Sequence, residues 1–260
     1  GDAILSIDGQ TTQSMTLDAA VAQLRGKAGS KVSMIVQTNT DSPRTVEITR
    51  AKIQIKSVTL SWADGATGKG PIAVVTISSF SQDSGRLFTN VTQEALAKNP
   101  SGFLIDLRNN PGGYLDQAVD IASEFITAGP IVTERFGDGT EKAYPASGSA
   151  PLRDFPVAVL INGGSASAAE ILAGALGEVR SAPLVGEQSF GKGSVQELES
   201  LPGGANLKLT VAHWLTPKGK TIEKNGLTPD HPVALTKDDY ENDRDPQRDA
   251  GLKLLRDATP

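Results

Sequence analysis

Three short apolar runs constrain this chain most: Ile-Ala-Val-Val-Thr-Ile within residues 71–78, Phe-Leu-Ile-Asp-Leu within 102–107, and Val-Ala-Val-Leu-Ile within 156–161. Each reads as a buried strand. Segments of helical periodicity lie at 88–98, 115–125 and 168–179, and strands alternating with helices define an α/β domain. Further strands are expected at 183–186, 194–201 and 207–214. The tail from residue 237 is charged, with a short helix at 249–256 expected to pack on the core. The small polar stretch 143–151 reads as an exposed loop.

A smaller β-α-β-β unit precedes this domain. Residues 3–7 form a strand that ends at the turn Asp8-Gly9. A helix over 16–25 is capped by Thr16, carries Leu17, Ala20, Val21 and Leu24 on one face, and has Gly26 just past its end. Strands at 31–38 and 44–50 flank the polar turn 39–43. The expected division is 1–50, 51–236 and 237–260. The chain opens in mid-pattern without an initiator methionine, so it is expected to be a fragment whose targeting segment lies upstream.

The formal charge of −5 over 260 residues, with no basic cluster, argues against a nucleic-acid partner. No apolar run approaches a bilayer span. The absence of cysteine excludes disulfides and thiolate zinc sites, and two distant histidines, His213 and His231, do not make a closed metal site.

Two glycine-rich stretches carry the chemistry. Asn162-Gly-Gly-Ser-Ala-Ser167-Ala-Ala-Glu170 puts a serine between a turn and an apolar helix. Gly186-Glu-Gln-Ser-Phe-Gly-Lys192-Gly-Ser-Val-Gln196 puts a lone lysine 25 residues further on. A serine hydroxyl becomes a nucleophile when a base takes its proton, and a neutral lysine amine is such a base. A catalytic lysine needs its pKa brought from ~10.4 to ~7–8, about 4 kcal/mol, which burial provides by penalising the charged form. Phe190 and the flanking glycines are expected to let Lys192 turn inward, with Gln196 orienting its amine.

Plainer readings stand beside these. Ser167-Ala-Ala-Glu170 fits a capping box, and that pattern alone makes Ser167 a helix cap. The same helix end offers unpaired N–H groups, so an oxyanion beside Ser167 would meet the Ala168 amide and a second donor from Gly112 or Gly113. Taken alone, Gly112-Gly113 is a tight strand-to-helix turn and Lys192 a solvated loop residue. The stretch Gly186–Gly193 nearly matches a phosphate loop, but Gly193 replaces the hydroxyl residue and a strand follows where a helix is required. Nucleotide binding is not expected.

Together with Leu107-Arg-Asn-Asn-Pro-Gly-Gly113, these motifs resemble the C-terminal (tail-specific) processing proteases, peptidase family S41. Residues 1–50 resemble the distal part of a PDZ domain. Residues 210–232, with Thr216-Pro-Lys-Gly-Lys-Thr-Ile222 and Gly226-Leu-Thr-Pro-Asp230, resemble the family's closing segment.

The resemblance implies a crotonase/Clp-protease-like serine protease core behind an N-terminally truncated PDZ domain. It implies Ser167 as nucleophile, Lys192 as general base, Gln196 as its orienting partner, and Gly113 and Ala168 as oxyanion amides, with Ser165 and Ser194 as supporting loop residues. No cofactor or metal is implied. His213-Trp214-Leu215 stands where the family often shows Arg-Tyr-Tyr. Arg25 is expected to couple the PDZ part to the core.

The expected activity is serine endopeptidase cleavage of proteins near their C-terminus through an acyl-enzyme, in the bacterial periplasm or another exported compartment. Expected partners are protein substrates with free apolar tails and an adaptor or activator, with oligomerisation through an upstream region. The alternatives are a latent or inactive PDZ scaffold that binds tails without cleaving them unless activated, and a crotonase-type acyl-CoA enzyme, for which no CoA motif is present.

Overall fold

The computed structural model describes residues 2–38, 41–52, 56–202 and 204–258. Two units, Gly1–Ile55 and Lys56–Pro260, are each compact in themselves. The expected turn at 39–43 lies partly outside the described residues.

In the first unit, β1 (Ala3–Ile7) and β2 (Gln10–Thr11) form a hairpin. Asp8 and Gly9 both have positive φ, 45° and 79°, as a two-residue hairpin turn requires. α1 (Leu17–Leu24), β3 (Lys31–Gln37) and β4 (Arg44–Thr49) complete a sheet of order β2-β1-β3-β4. Alternate residues Val32, Met34 and Val36 join Ile7 in a small core, which Ala20 and Leu24 cover.

One expectation for α1 fails. Leu17 is 80% exposed, so it does not share the buried face. Gly26 stands just past the helix end as expected, without a left-handed φ, and its missing side chain leaves room for the Arg50 guanidinium. Arg50 donates to the carbonyls of Leu24 and Gln23, both at 2.8 Å, and caps the helix's negative end from just past β4.

The second unit begins with β5 (Val58–Ala63) and β6 (Ile72–Ile77), then α2 (Ser84–Leu96), β7 (Gly102–Asp106) and α3 (Leu115–Ser123). The hairpin β8 (Pro130–Phe136) and β9 (Glu141–Pro145) precedes β10 (Val157–Ile161), α4 (Ala168–Arg180) and β11 (Leu184–Gly186). There follow β12 (Ser194–Ser200), β13 (Asn206–Leu215), β14 (His231–Pro232), α5 (Lys237–Glu241) and α6 (Pro246–Ala258).

One sheet has the order β14-β11-β10-β7-β6-β5, parallel except for β5; the other has the order β12-β13-β8-β9. Ala73, Val75, Phe103, Ile105, Val157 and Val159 share a core with α2, α3 and α4. Their neighbours Val74, Leu104, Ala158 and Leu160 meet Leu252 and Leu255 of α6 on the opposite face. Both faces are covered, which is why these strands read as unbroken apolar runs.

Three strands of five or more residues escaped the sequence pattern, as did the two-residue strands β2 and β14. β5 is a half-exposed edge strand. β8 starts at a proline and buries Glu134, whose carboxylate accepts the Tyr144 hydroxyl of β9 at 2.7 Å. β9 also takes the first residues of the segment expected to be a loop from 143. No helix among the described residues is long and apolar enough to cross a membrane.

Candidate active site

The turns that follow β7, β10 and β11 converge at the C-terminal edge of the main sheet, where parallel α/β sheets place their sites. Asn110, fully buried in the turn after β7, is the strut. Its Nδ2 donates to the Ile77 carbonyl at 2.7 Å, its Oδ1 accepts the Gly112 N–H at 2.8 Å, and its carbonyl accepts the Ala166 N–H at 2.9 Å. A second tie joins Asn109 and Asn162: each donates to the other's side-chain oxygen, from the Asn109 amide at 2.9 Å and the Asn162 Nδ2 at 3.0 Å. Ser165, also fully buried, donates to the Leu107 carbonyl at 2.8 Å.

These bonds leave Ser167 half-buried at the N-cap of α4 with φ 56° and ψ −117°. A non-glycine residue there is strained, and it persists because the surrounding turns over-determine it. A serine on a sharp strand-to-helix turn is presented outward, as a nucleophile must be. The capping reading and the nucleophile reading describe one geometry, since the Glu170 carboxylate accepts the Ser167 N–H at 2.9 Å.

The two candidate oxyanion glycines separate. The Gly112 amide is occupied by Asn110, and a side chain at Gly112 would sit 2.8 Å from the Ser167 Cβ and 3.0 Å from the Ala168 nitrogen. Phe80 brackets Gly113: the Phe80 N–H donates to the Gly112 carbonyl at 2.9 Å, and the Tyr114 N–H donates to the Phe80 carbonyl at 2.8 Å. Among the described residues, the amides of Gly113 and Ala168 have no acceptor.

Lys192 reaches the site through its backbone. Its N–H donates to Glu170 Oε2 at 2.9 Å, the same oxygen that holds the Ser167 amide, so the two backbone nitrogens lie within about 6 Å of each other. The expected burial of the side chain is not built. Lys192 is exposed, Phe190 is 65% exposed, and the Lys192 amine has no partner among the described residues. The reason is local: Gly191 and Gly193 press against the backbone of residues 223–226, which fills the inward side of this segment. Gln196 is also exposed, on β12 just past an irregularity in its pairing with β13, and makes no bond to Lys192. Ser194 pairs with His213, and Arg25 is the C-cap residue of α1 in the first unit.

Sequence reasoning missed three supports. Glu170 is a junction as well as a cap. Asn110 was read only as part of a turn. Asp106 and Asp245 both clamp Arg108, with Nη2 at 2.8 Å from each. Burial works against the Arg108 charge, but bonds to the two carboxylates outweigh it and raise its pKa. Among the described residues, no cluster of histidine, aspartate and glutamate could hold a metal ion.

Residues 71–233 match the family model of Peptidase family S41, and residues 1–37 match that of the PDZ domain. The chain belongs to peptidase family S41. The carboxyl-terminal-processing protease of Synechocystis sp. is 37% identical over 258 residues, 98% of this chain and 60% of that protein. The carboxy-terminal processing protease CtpB of Bacillus subtilis is 38% identical over 241 residues, 92% of this chain and 49% of that protein. The chain thus spans about half to three fifths of the length of these relatives. Among solved structures, the photosystem II D1 C-terminal processing protease superposes with a TM-score of 0.68 at 30% identity, covering 100% of this chain and 69% of that one.

Proposed function

We propose that this chain carries the chemistry of a carboxyl-terminal processing serine endopeptidase, working through a Ser167–Lys192 dyad. The observation that carries this reading is the shared Glu170 oxygen: it brings the backbones of Ser167 and Lys192 together beside two amides that have no acceptor. Ser167 Oγ attacks a peptide carbonyl carbon while neutral Lys192 Nζ takes its proton. The oxyanion rests on the Ala168 and Gly113 amides. Collapse of the tetrahedral species breaks the C–N bond, and the departing amine takes the proton from Lys192. Water, activated by the same amine, then hydrolyses the acyl-enzyme. Gln196 orients the lysine once the site closes.

The exposed Lys192 favours a second reading of the same site. This is its resting form, and the desolvation the base requires is supplied when a substrate or activator covers the loop. Substrates are proteins with free apolar C-terminal tails, and the setting is the bacterial envelope or another exported compartment. Resemblance to the family supports both.

The test is digestion of an unfolded protein by the wild-type chain, Ser167→Ala and Lys192→Ala, with fragments mapped by mass. Cleavage by wild type and a loss of about 10⁴-fold or more in both variants is expected. Cleavage that survives Ser167→Ala would sink the assignment.

A further inference from the structure

Glu170 is 1% exposed and accepts four hydrogen bonds. Oε2 takes the N–H groups of Ser167 and Lys192, each at 2.9 Å. Oε1 takes the Gly191 N–H at 2.7 Å and the Ser189 hydroxyl at 2.5 Å. A capping box needs only the first of these. The other three come from 19 to 22 residues further along the chain, on the segment that carries Lys192. A buried carboxylate is tolerated where its lone pairs are filled, and here the donors that fill them belong to both catalytic loops.

We propose that Glu170 is a positioning residue that sets the register of the nucleophile loop against the base loop, so that folding of α4 places both backbones at once. This rests on the Ser167–Lys192 reading of the site. Ser189 is its accessory: the Ser189 hydroxyl donates to Glu170 and accepts the Leu227 N–H at 2.7 Å, tying the base loop to the segment behind it.

Glu170→Gln tests the idea with little change of volume. One oxygen becomes an NH2 group, which cannot accept a bond from a backbone amide. The Ser189 hydroxyl can reverse and accept from that NH2. The glutamine therefore settles with its nitrogen toward Ser189 and Gly191, keeps the Ser167 and Lys192 amides on its oxygen, and leaves the Gly191 N–H unpaired.

The full chain, Glu170→Gln and Ser189→Ala are compared by peptide hydrolysis, by labelling with a serine-directed fluorophosphonate, by amide hydrogen exchange and by thermal melting. Glu170→Gln is expected to lower kcat about 100-fold with KM within about threefold, the signature of a misplaced reacting group rather than weakened binding. Exchange is expected to rise more than about tenfold at 189–193, less at 165–168, and not in the sheet core. Ser189→Ala is expected to lower kcat about tenfold with the same pattern, and it carries the test if Glu170→Gln does not fold.

Wild-type kcat in either folded variant, or exchange raised evenly through the core, overturns the proposal. Labelling of wild type at Ser167, absent in Ser167→Ala, keeps the dyad reading separate from this outcome. Wild type that is not labelled at Ser167 removes the dyad reading, and the proposal falls with it.

Discussion

The Ser167 half of the site and the Lys192 half are built to different degrees. Around Ser167, the supports Asn110, Ser165 and Ala168 are buried, and the polar groups of Asn110 and Ser165 are bonded. The serine itself is held in a backbone conformation it would not choose. Around Lys192 the backbone and the Ser189 hydroxyl are fixed, while Phe190, Lys192 and Gln196 are exposed to solvent. The proposed dyad gives the difference a reason. Oxyanion donors work by being aimed before the reaction begins, and so must be set by the fold. A lysine base works by being neutral, which depends on what covers it, and a substrate can supply that cover.

The largest expected effects come from adding one methyl group to the rigid half. In Gly113→Ala the new Cβ would lie 2.1 Å from the Phe80 carbonyl oxygen, at a φ of 144° that alanine avoids. Strain of this kind costs more than about 3 kcal/mol, and loss of folded protein is expected in thermal melts. In Gly112→Ala the Cβ would lie 2.7 Å from the Ala166 carbonyl oxygen and 2.8 Å from the Ser167 Cβ, so the push falls on Ser167. A folded protein with cleavage reduced about 100-fold or more is expected. Full cleavage by Gly112→Ala would break the comparison, because the serine half would then be as adaptable as the lysine half.

Arg108 lies where β7 enters the Gly112-Gly113 turn and receives carboxylates from Asp106 and Asp245. Arg108→Ala strands both and is expected to cost about 3 kcal/mol, the low end for a buried pair because Asp245 keeps some exposure. Burial pushes the Asp245 pKa up, but the Arg108 bonds outweigh it and hold it below the ordinary carboxylate range. The unfolded state therefore binds this proton more readily. The stabilisation is full above the unfolded pKa and is lost as pH falls through the folded value. Urea titrations from pH 7 downward are expected to show a shallower acid loss in Arg108→Ala. An equal loss in both proteins would remove the clamp from the account of how the serine half is held.

The same asymmetry decides what the sequence discloses. The apolar runs of β6, β7 and β10 announce themselves because both their faces are covered. The Ser167 and Lys192 stretches are legible because glycines must stand where the backbone turns sharply or approaches closely. Hidden features depend on partners far along the chain. Asp245 reaches Arg108 across 137 residues, and Arg50 caps α1 from 26 residues beyond Leu24. β8 was masked by a leading proline and by Glu134, which is buried only because Tyr144 on the next strand meets it. Lys192 was expected inside because catalysis asks for a buried lysine. The proposed mechanism places that requirement in the bound state, whereas the fold answers only to the chain's own packing.

The smallest expected effect comes from Asp120, on the helix that follows the Gly113 turn. Burial, and then the charge of Asp116, raises its pKa. A carboxyl raised on folding binds its proton more readily in the folded state, so its charge is destabilising above the folded pKa. Stability is recovered as pH falls through that value toward the unfolded one, opposite in sign to Asp245. Asp120→Asn removes the charge and is expected to raise the melting temperature slightly at pH 7, with the gain vanishing below about pH 4. Cleavage is expected to stay at the wild-type rate. The Gly113 amide is placed by Phe80 and Asn110 at the head of α3, and a charge further along that helix does not move it. A change in kcat without a change in melting would show that the serine half responds to distant charge and is less rigid than its hydrogen bonds imply.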